Sequence, residues 1–177
     1  MSLPYHKAWH GKEVAMQDIH GRDVMSYDSL RWYCEAIKRS NPCSVAELVV
    51  SPFDNRFERL FVAYDACLQG FRRGCRPLLF VDGTFMKNKY KGVLCSATTL
   101  DANNQLFVVA IGVVDAENDD NWRWFFMLLR SCLPRDRTYV IISDRQSGIR
   151  KAVAACFPDS YHLHCLRHLV DNFKTEV

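Results

Sequence analysis

Arg76-Pro77-Leu78-Leu79-Phe80-Val81-Asp82-Gly83-Thr84-Phe85 is a run of apolar and β-branched residues interrupted by one aspartate. Sixty-two residues on (144 − 82 = 62), Tyr139-Val140-Ile141-Ile142-Ser143-Asp144-Arg145 has the same grammar. Both read as buried strands. A carboxylate at the end of a buried strand is costly unless something pairs with it. Two such strands side by side would bring two carboxylates to one spot, where a divalent cation is the natural partner.

Working outward, strand 77–85 is followed by the polar turn Lys87-Asn88-Lys89, a strand over 90–100, the turn Asp101-Ala102-Asn103-Asn104 and a nearly all-apolar strand over 105–114. Short connections make these three strands antiparallel neighbours. A helix over 118–133 carries Trp122, Phe125, Phe126 and Leu129 on one face. The next strand, 138–143, is therefore expected to return parallel beside the first, through a right-handed crossover. A helix over 146–156, a short strand over 160–164 and a helix from about Cys165 complete the order β-β-β-α-β-α-β-α. The acidic pair then falls where the connections part, the usual ligand position of such sheets.

Upstream, residues 4–20 read as a helix, with Ala8, Ala15 and Ile19 on one face and Gly21 as its stop. Residues 28–39 read as a second helix. Asp28 is its expected cap, Leu30, Tyr33, Cys34 and Ile37 its apolar face, and Asn41-Pro42 its end. Val45–Val50 and Phe57–Val62 read as strands around the turn Ser51-Pro52-Phe53-Asp54-Asn55. A short helix over Ala63–Gln69 is expected to end at Gly70.

Composition narrows the class. The chain has 177 residues, 49% of them hydrophobic and 12% aromatic, which excludes a disordered chain and supplies a core. A net charge of +3 neither demands nor excludes nucleic acid, because a local basic patch would suffice. No apolar run approaches the roughly 20 residues of a membrane span, so no membrane partner is expected. The opening residues show no apolar signal segment. Eight cysteines without a CxxC pair then read as reduced thiols of a cytosolic or nuclear protein, Cys34 and Cys95 packing as small hydrophobes.

From the residues alone, two readings of Asp82 and Asp144 stand. They are metal ligands, or they are turn and helix caps, Asp-Gly being a common turn signal. Lys87, Lys89 and Lys91 read either as a solvated hairpin or as contacts to a phosphate backbone. Arg145 either pairs with Asp144 or touches DNA. At least one of Trp122 and Trp124 belongs to the core, and stacking on a base is open to the other. His162, His164, Cys165 and His168 carry zinc-type ligand atoms. Four of them within seven residues suit tetrahedral coordination poorly, so zinc is not expected.

The stretch from "CRPLLFVDGTF" through "NWRWFFMLLRSCL", with "VIISDRQSGIRKAVAACFP" and "HCLRHLVDNFK", resembles plant Mutator-like element (MULE) transposases over essentially all of residues 75–174. "YDSLRWYCEAIKRSNP" and "FERLFVAYDACLQGF" resemble the segment leading into that family's catalytic domain. The resemblance implies an α/β, RNase H-like mixed sheet over 75–177, preceded by a helical lead-in with a short strand pair over 1–74. It implies that Asp82 and Asp144 are the first two acids of a DDE triad, catalytic residues binding Mg²⁺ or Mn²⁺ weakly. It places the family's Cys-x-x-His signature on Cys165 and His168. Its implied partner is DNA at transposon ends, its working assembly a homo-oligomer and its location the nucleus. The family's third acid lies further downstream, and Asp171 and Glu176 are the only acids after the signature. An incomplete, catalytically inactive copy is the expectation. The rival readings are a domesticated, regulatory DNA-binding relative of the far-red-impaired type, and an α/β domain unrelated to nucleic acid.

Overall fold

A computed structural model describes residues 4–20, 27–87, 91–168 and 170, with the side chains of 17–20 excepted. Gly21, Lys89, Asp171, Glu176 and the side chain of Ile19 lie outside the described residues.

One seven-stranded mixed sheet organises the molecule. Its strands are β1 (Val45–Val50), β2 (Phe57–Ala63), β3 (Leu78–Phe85), β4 (Val93–Leu100), β5 (Leu106–Val114), β6 (Val140–Ser143) and β7 (Tyr161–His164), in the spatial order β1-β2-β5-β4-β3-β6-β7. The three strands expected to be antiparallel neighbours are so: β3 pairs β4, and β4 pairs β5. The parallel return is found too, with Leu78 opposite Val140, Leu79 opposite Ile141 and Phe80 opposite Ile142. Strand β7 continues in parallel beside β6. The β1–β2 hairpin is not a separate layer, because β2 pairs antiparallel with β5 and extends the same sheet.

Alternation along the strands assigns the two faces. Leu79 and Val81 of β3, Cys95 and Ala97 of β4 and Ile141 of β6 are buried on the first face. That face is covered by α3 (Asp65–Gly74), α4 (Asp119–Cys132) and α5 (Ser147–Cys156). Leu68 and Phe71 of α3, Trp122, Phe125, Phe126 and Leu129 of α4, and Ile149 and Val153 of α5 fill one core with it. Among the described residues the other face is covered only at its β1–β2 end. There α2 (Leu30–Ser40) lays Cys34 and Ile37 on Ala46, Leu60 and Val62. From β5 to β7 the apolar side chains of this second face keep substantial exposure, as at Val108 (46%), Leu94 (41%) and Leu163 (52%).

Three upstream expectations change. Helix α1 (Tyr5–His20) forms, but Ala8 and Ala15, the described members of its expected face, are exposed. Ser29, not Asp28, holds the N-cap position of α2, and its side chain makes no capping bond. Helix α3 runs through Gly70 to Gly74. Gly70 is there because the Phe107 ring of β5 would lie 2.8 Å from a Cβ at that position. The glycine lets the helix approach the sheet and does not end it. The buried cysteines follow the reading of small hydrophobes. Cys34 and Cys95 are 4% and 1% exposed, and burial pushes the Cys95 thiol up to about 12.

Candidate metal and nucleic-acid site

Extending the parallel register by two residues beyond Phe80 and Ile142 sets Asp82 opposite Asp144 (80 + 2 and 142 + 2). Neighbouring strands stand about 4.8 Å apart, so the two carboxylates rise from adjacent backbone positions. Both share the parity of Leu78, Phe80, Val140 and Ile142, which places them on the second, sparsely covered face. Asp82 is exposed and Asp144 half-buried.

Each carboxylate is tied through one oxygen. Oδ1 of Asp82 accepts from Gly83 N at 3.0 Å, and Oδ1 of Asp144 accepts from Gln146 N at 3.0 Å. Oδ2 of each has no hydrogen-bond donor among the described residues. Asp144 does not cap the helix that follows it. Gln146 does, its Oε1 accepting from Ile149 N at 2.8 Å. Two carboxylates, fixed by one oxygen and open at the other, fit a hard oxygen-seeking cation such as Mg²⁺ or Mn²⁺. Among the described residues no group of three or more His, Cys, Asp or Glu side chains has a metal-binding arrangement.

A chain of hydrogen bonds braces Asp144 from the next strand. His162 Nε2 and Ser143 Oγ are 2.9 Å apart, and Ser143 Oγ donates to the Asp144 carbonyl at 2.8 Å. With that hydroxyl proton committed, His162 donates through Nε2. The sequence groups His162 with His164, Cys165 and His168 at the strand-to-helix corner near the acidic pair, without giving it a partner. The alternation of β7, which turns its ring onto the Ser143 side, was the available signal. Burial first, then the neighbouring His164 and Arg150, holds the His162 imidazole below its usual 6.5, against the opposing pull of Asp144. The unfolded chain therefore takes up this proton first. The stabilisation is complete above about pH 6.5 and is lost as pH falls through the lower folded value. The melting temperature should fall on acidification from about pH 7.5 to 5.5, and His162→Gln should flatten that fall. An unchanged slope in the variant would exclude His162 as its source.

The remaining predicted residues spread along the same end of the sheet. Cys165 N donates to Ser143 O at 2.7 Å, which carries the β6–β7 pairing past its last register pair and brings the Cys-x-x-His segment alongside the acidic pair. A helix begins at Leu166, so Cys165 stands just ahead of it and His168 in its first turn. Nδ1 of His168 is buried without a hydrogen-bond partner among the described residues. Lys87 and Lys91 are exposed at the β3–β4 hairpin. Arg145 is exposed and makes no ion pair with Asp144, the described ion pairs being Lys38–Glu47 and Lys151–Asp119. Neither tryptophan of α4 is free for a base. Trp122 is 1% exposed in the core, and Trp124 packs edge-on to Phe61 beneath the Arg59 guanidinium.

No described helix is long and apolar enough to cross a membrane. A search of curated proteins returned no match. The family model described as "MULE transposase domain" matches residues 78–172, from the first residue of β3 to beyond the Cys-x-x-His segment. That span of 95 residues (172 − 78 + 1) is more than half of the 177, and it contains both aspartates and both members of the Cys-x-x-His pair, so the chain belongs to the MULE transposase domain family.

Proposed function

We propose that this chain is the RNase H-like core of a DDE-type DNA transposase, with Asp82 and Asp144 as two of its metal-holding carboxylates. The observation that carries the reading is the parallel pairing of β3 with β6, up to Phe80 opposite Ile142, which leaves each aspartate two residues beyond the last register pair. The order β5-β4-β3-β6-β7, three antiparallel strands followed by two parallel ones, supports the RNase H-like assignment.

Divalent metal at such a site activates a water or a DNA 3′-hydroxyl and stabilises the leaving oxygen. The protein's share is to hold the site. Gly83 N and Gln146 N orient the two carboxylates, and the His162–Ser143 chain fixes the backbone of Asp144. Arg145 next to Asp144, and Lys87 and Lys91 at the β3–β4 hairpin, supply cations along the same end of the sheet, suited to positioning a phosphate backbone without reading sequence. Two-metal chemistry of the DDE type calls for a third carboxylate, and among the described residues no third one groups with this pair to hold a metal. Cleavage therefore waits on a third acid, and DNA at transposon ends, a homo-oligomer and the nucleus complete the reading.

Iron-directed cleavage tests it. With Fe²⁺ and ascorbate in place of Mg²⁺, and a DNA duplex present, backbone cuts are expected near residues 82–86 and 143–146, and in the DNA. Cuts elsewhere in the chain, or uncut DNA, would remove the metal site or the DNA partner from the reading.

A further inference from the structure

Beyond the acidic pair, the same end of the sheet carries a recess that the chemistry above does not use. It has a volume of about 400 Å³ and is lined by Tyr27, Asp28, Arg56, Phe57, Lys91 and Val113. Its placement follows from the register. Asp82 stands opposite Ser96, which stands opposite Ile111, and two positions further up Thr84, Leu94 and Val113 form the next row on the same face. Strand β5 is two strands from β3 and three from β6, and Val113 lies two positions beyond the Asp82 row, so the recess opens roughly 12 Å from Asp82 and further from Asp144.

The walls are built, not incidental. The Tyr27 and Phe57 rings meet at 5.0 Å between centroids, with an interplanar angle of 59°. The β3–β4 hairpin is pressed onto the end of β5. Gly92 has φ +95°, and a Cβ there would lie 2.7 Å from the Val114 carbonyl oxygen. Lys91 beside it is held at φ 56°, a left-handed conformation unusual for lysine. Lys91 and Arg56 both line the recess. Neither cation forms an ion pair with another described residue. Of the two carboxylates nearby, Asp115 is engaged, its Oδ1 accepting from Asn121 Nδ2 at 2.9 Å. Asp28 is exposed and remains an acceptor of the kind that takes an exocyclic amine of a base.

An apolar floor with two rings takes a planar base, and two unpaired cations at its mouth take a phosphate. We propose that this recess binds an unpaired nucleotide of the DNA strand engaged at the acidic pair. The base lies against Tyr27 and Phe57, and Arg56 and Lys91 hold its phosphate. The inference rests on the transposase reading and adds to it a substrate subsite specific for single-stranded DNA, a few nucleotides from the bond to be cut.

The experiment measures fluorescence anisotropy of a short labelled oligo(dC) strand, and of a duplex of the same length, in EDTA. Arg56→Ala combined with Lys91→Ala, both at exposed positions, should weaken single-strand binding by roughly tenfold. Phe57→Leu, which keeps most of the packing volume and removes the ring, should weaken it by roughly five- to a hundredfold, with duplex affinity little changed. Thermal melts verify that each variant is folded. If iron cutting fails at the aspartates while oligo(dC) binding responds as expected, the metal reading falls and the subsite stands. If single-strand affinity is unchanged in both pocket variants, or single strand and duplex weaken equally in Phe57→Leu, the subsite is wrong whatever the iron shows. Tight binding of dCMP, equal to that of the strand, would make the recess a free-nucleotide site and overturn the proposal.

Discussion

Replacing both Asp82 and Asp144 by asparagine is expected to abolish saturable Mn²⁺ binding, and replacing either one to weaken it by roughly tenfold or more. Asparagine keeps the shape and an amide oxygen but removes the negative charge that holds a hard cation. Each side chain would still accept the backbone bond that Gly83 N or Gln146 N donates, so the local turns should survive. The measurement is calorimetry, together with paramagnetic broadening of amide resonances near the two aspartates. Binding in the double variant equal to that of the parent would mean that the metal, if any, sits elsewhere. The two single losses should also fail to add, because both residues serve one ion.

The other large effect concerns the residue beneath the site. Trp122→Ala should destabilise the fold by about 3–5 kcal/mol, the range for removing a large aromatic side chain from a core. A domain of this size has about 5–15 kcal/mol in all, so this variant should be at or near unfolding. Trp122 is 1% exposed and contacts Phe125 and Phe126 through ring faces and edges. It also lies under the Asp82 end of β3, where a Cβ on Gly83 would come within 2.9 Å of its ring. Gly83 follows Asp82 directly, so the indole sets the height of the carboxylate as well as filling the core. Urea denaturation read by circular dichroism gives the loss. Trp122→Phe should retain more than half of the lost stability, while Mn²⁺ binding weakens because Asp82 is less firmly backed. A wild-type midpoint in Trp122→Ala would contradict the packing described above.

The sequence by itself determined the identity and order of nearly every element in the sheet. Strand β1 begins and ends where the apolar pattern does, and β3, β4 and β5 start at most three residues inside their predicted runs. Helical periodicity located the buried face of α4, because Trp122, Phe125, Phe126 and Leu129 recur at helical spacing. The family motifs around Asp82, Asp144, Cys165 and His168 were legible as well, since they are local strings. Three things were not local. The sequence pointed to Asp144 as the cap of the helix that follows it, and only the backbone path past Ser143 decided that Gln146 caps α5 instead. Gly70 reads as a helix stop until Phe107, 37 residues on (107 − 70), is seen occupying the space where its side chain would be. The recess beside Lys91 joins residues from the approach to α2, the start of β2 and the hairpin before β4, which no periodicity connects. Above all, parity within a strand says which residues share a face, but not which residue of the next strand stands opposite. The Leu78–Val140 register, fixed when the helices close over Leu79 and Ile141, is what sets β3 and β6 side by side, with one aspartate two residues beyond the last paired residue of each.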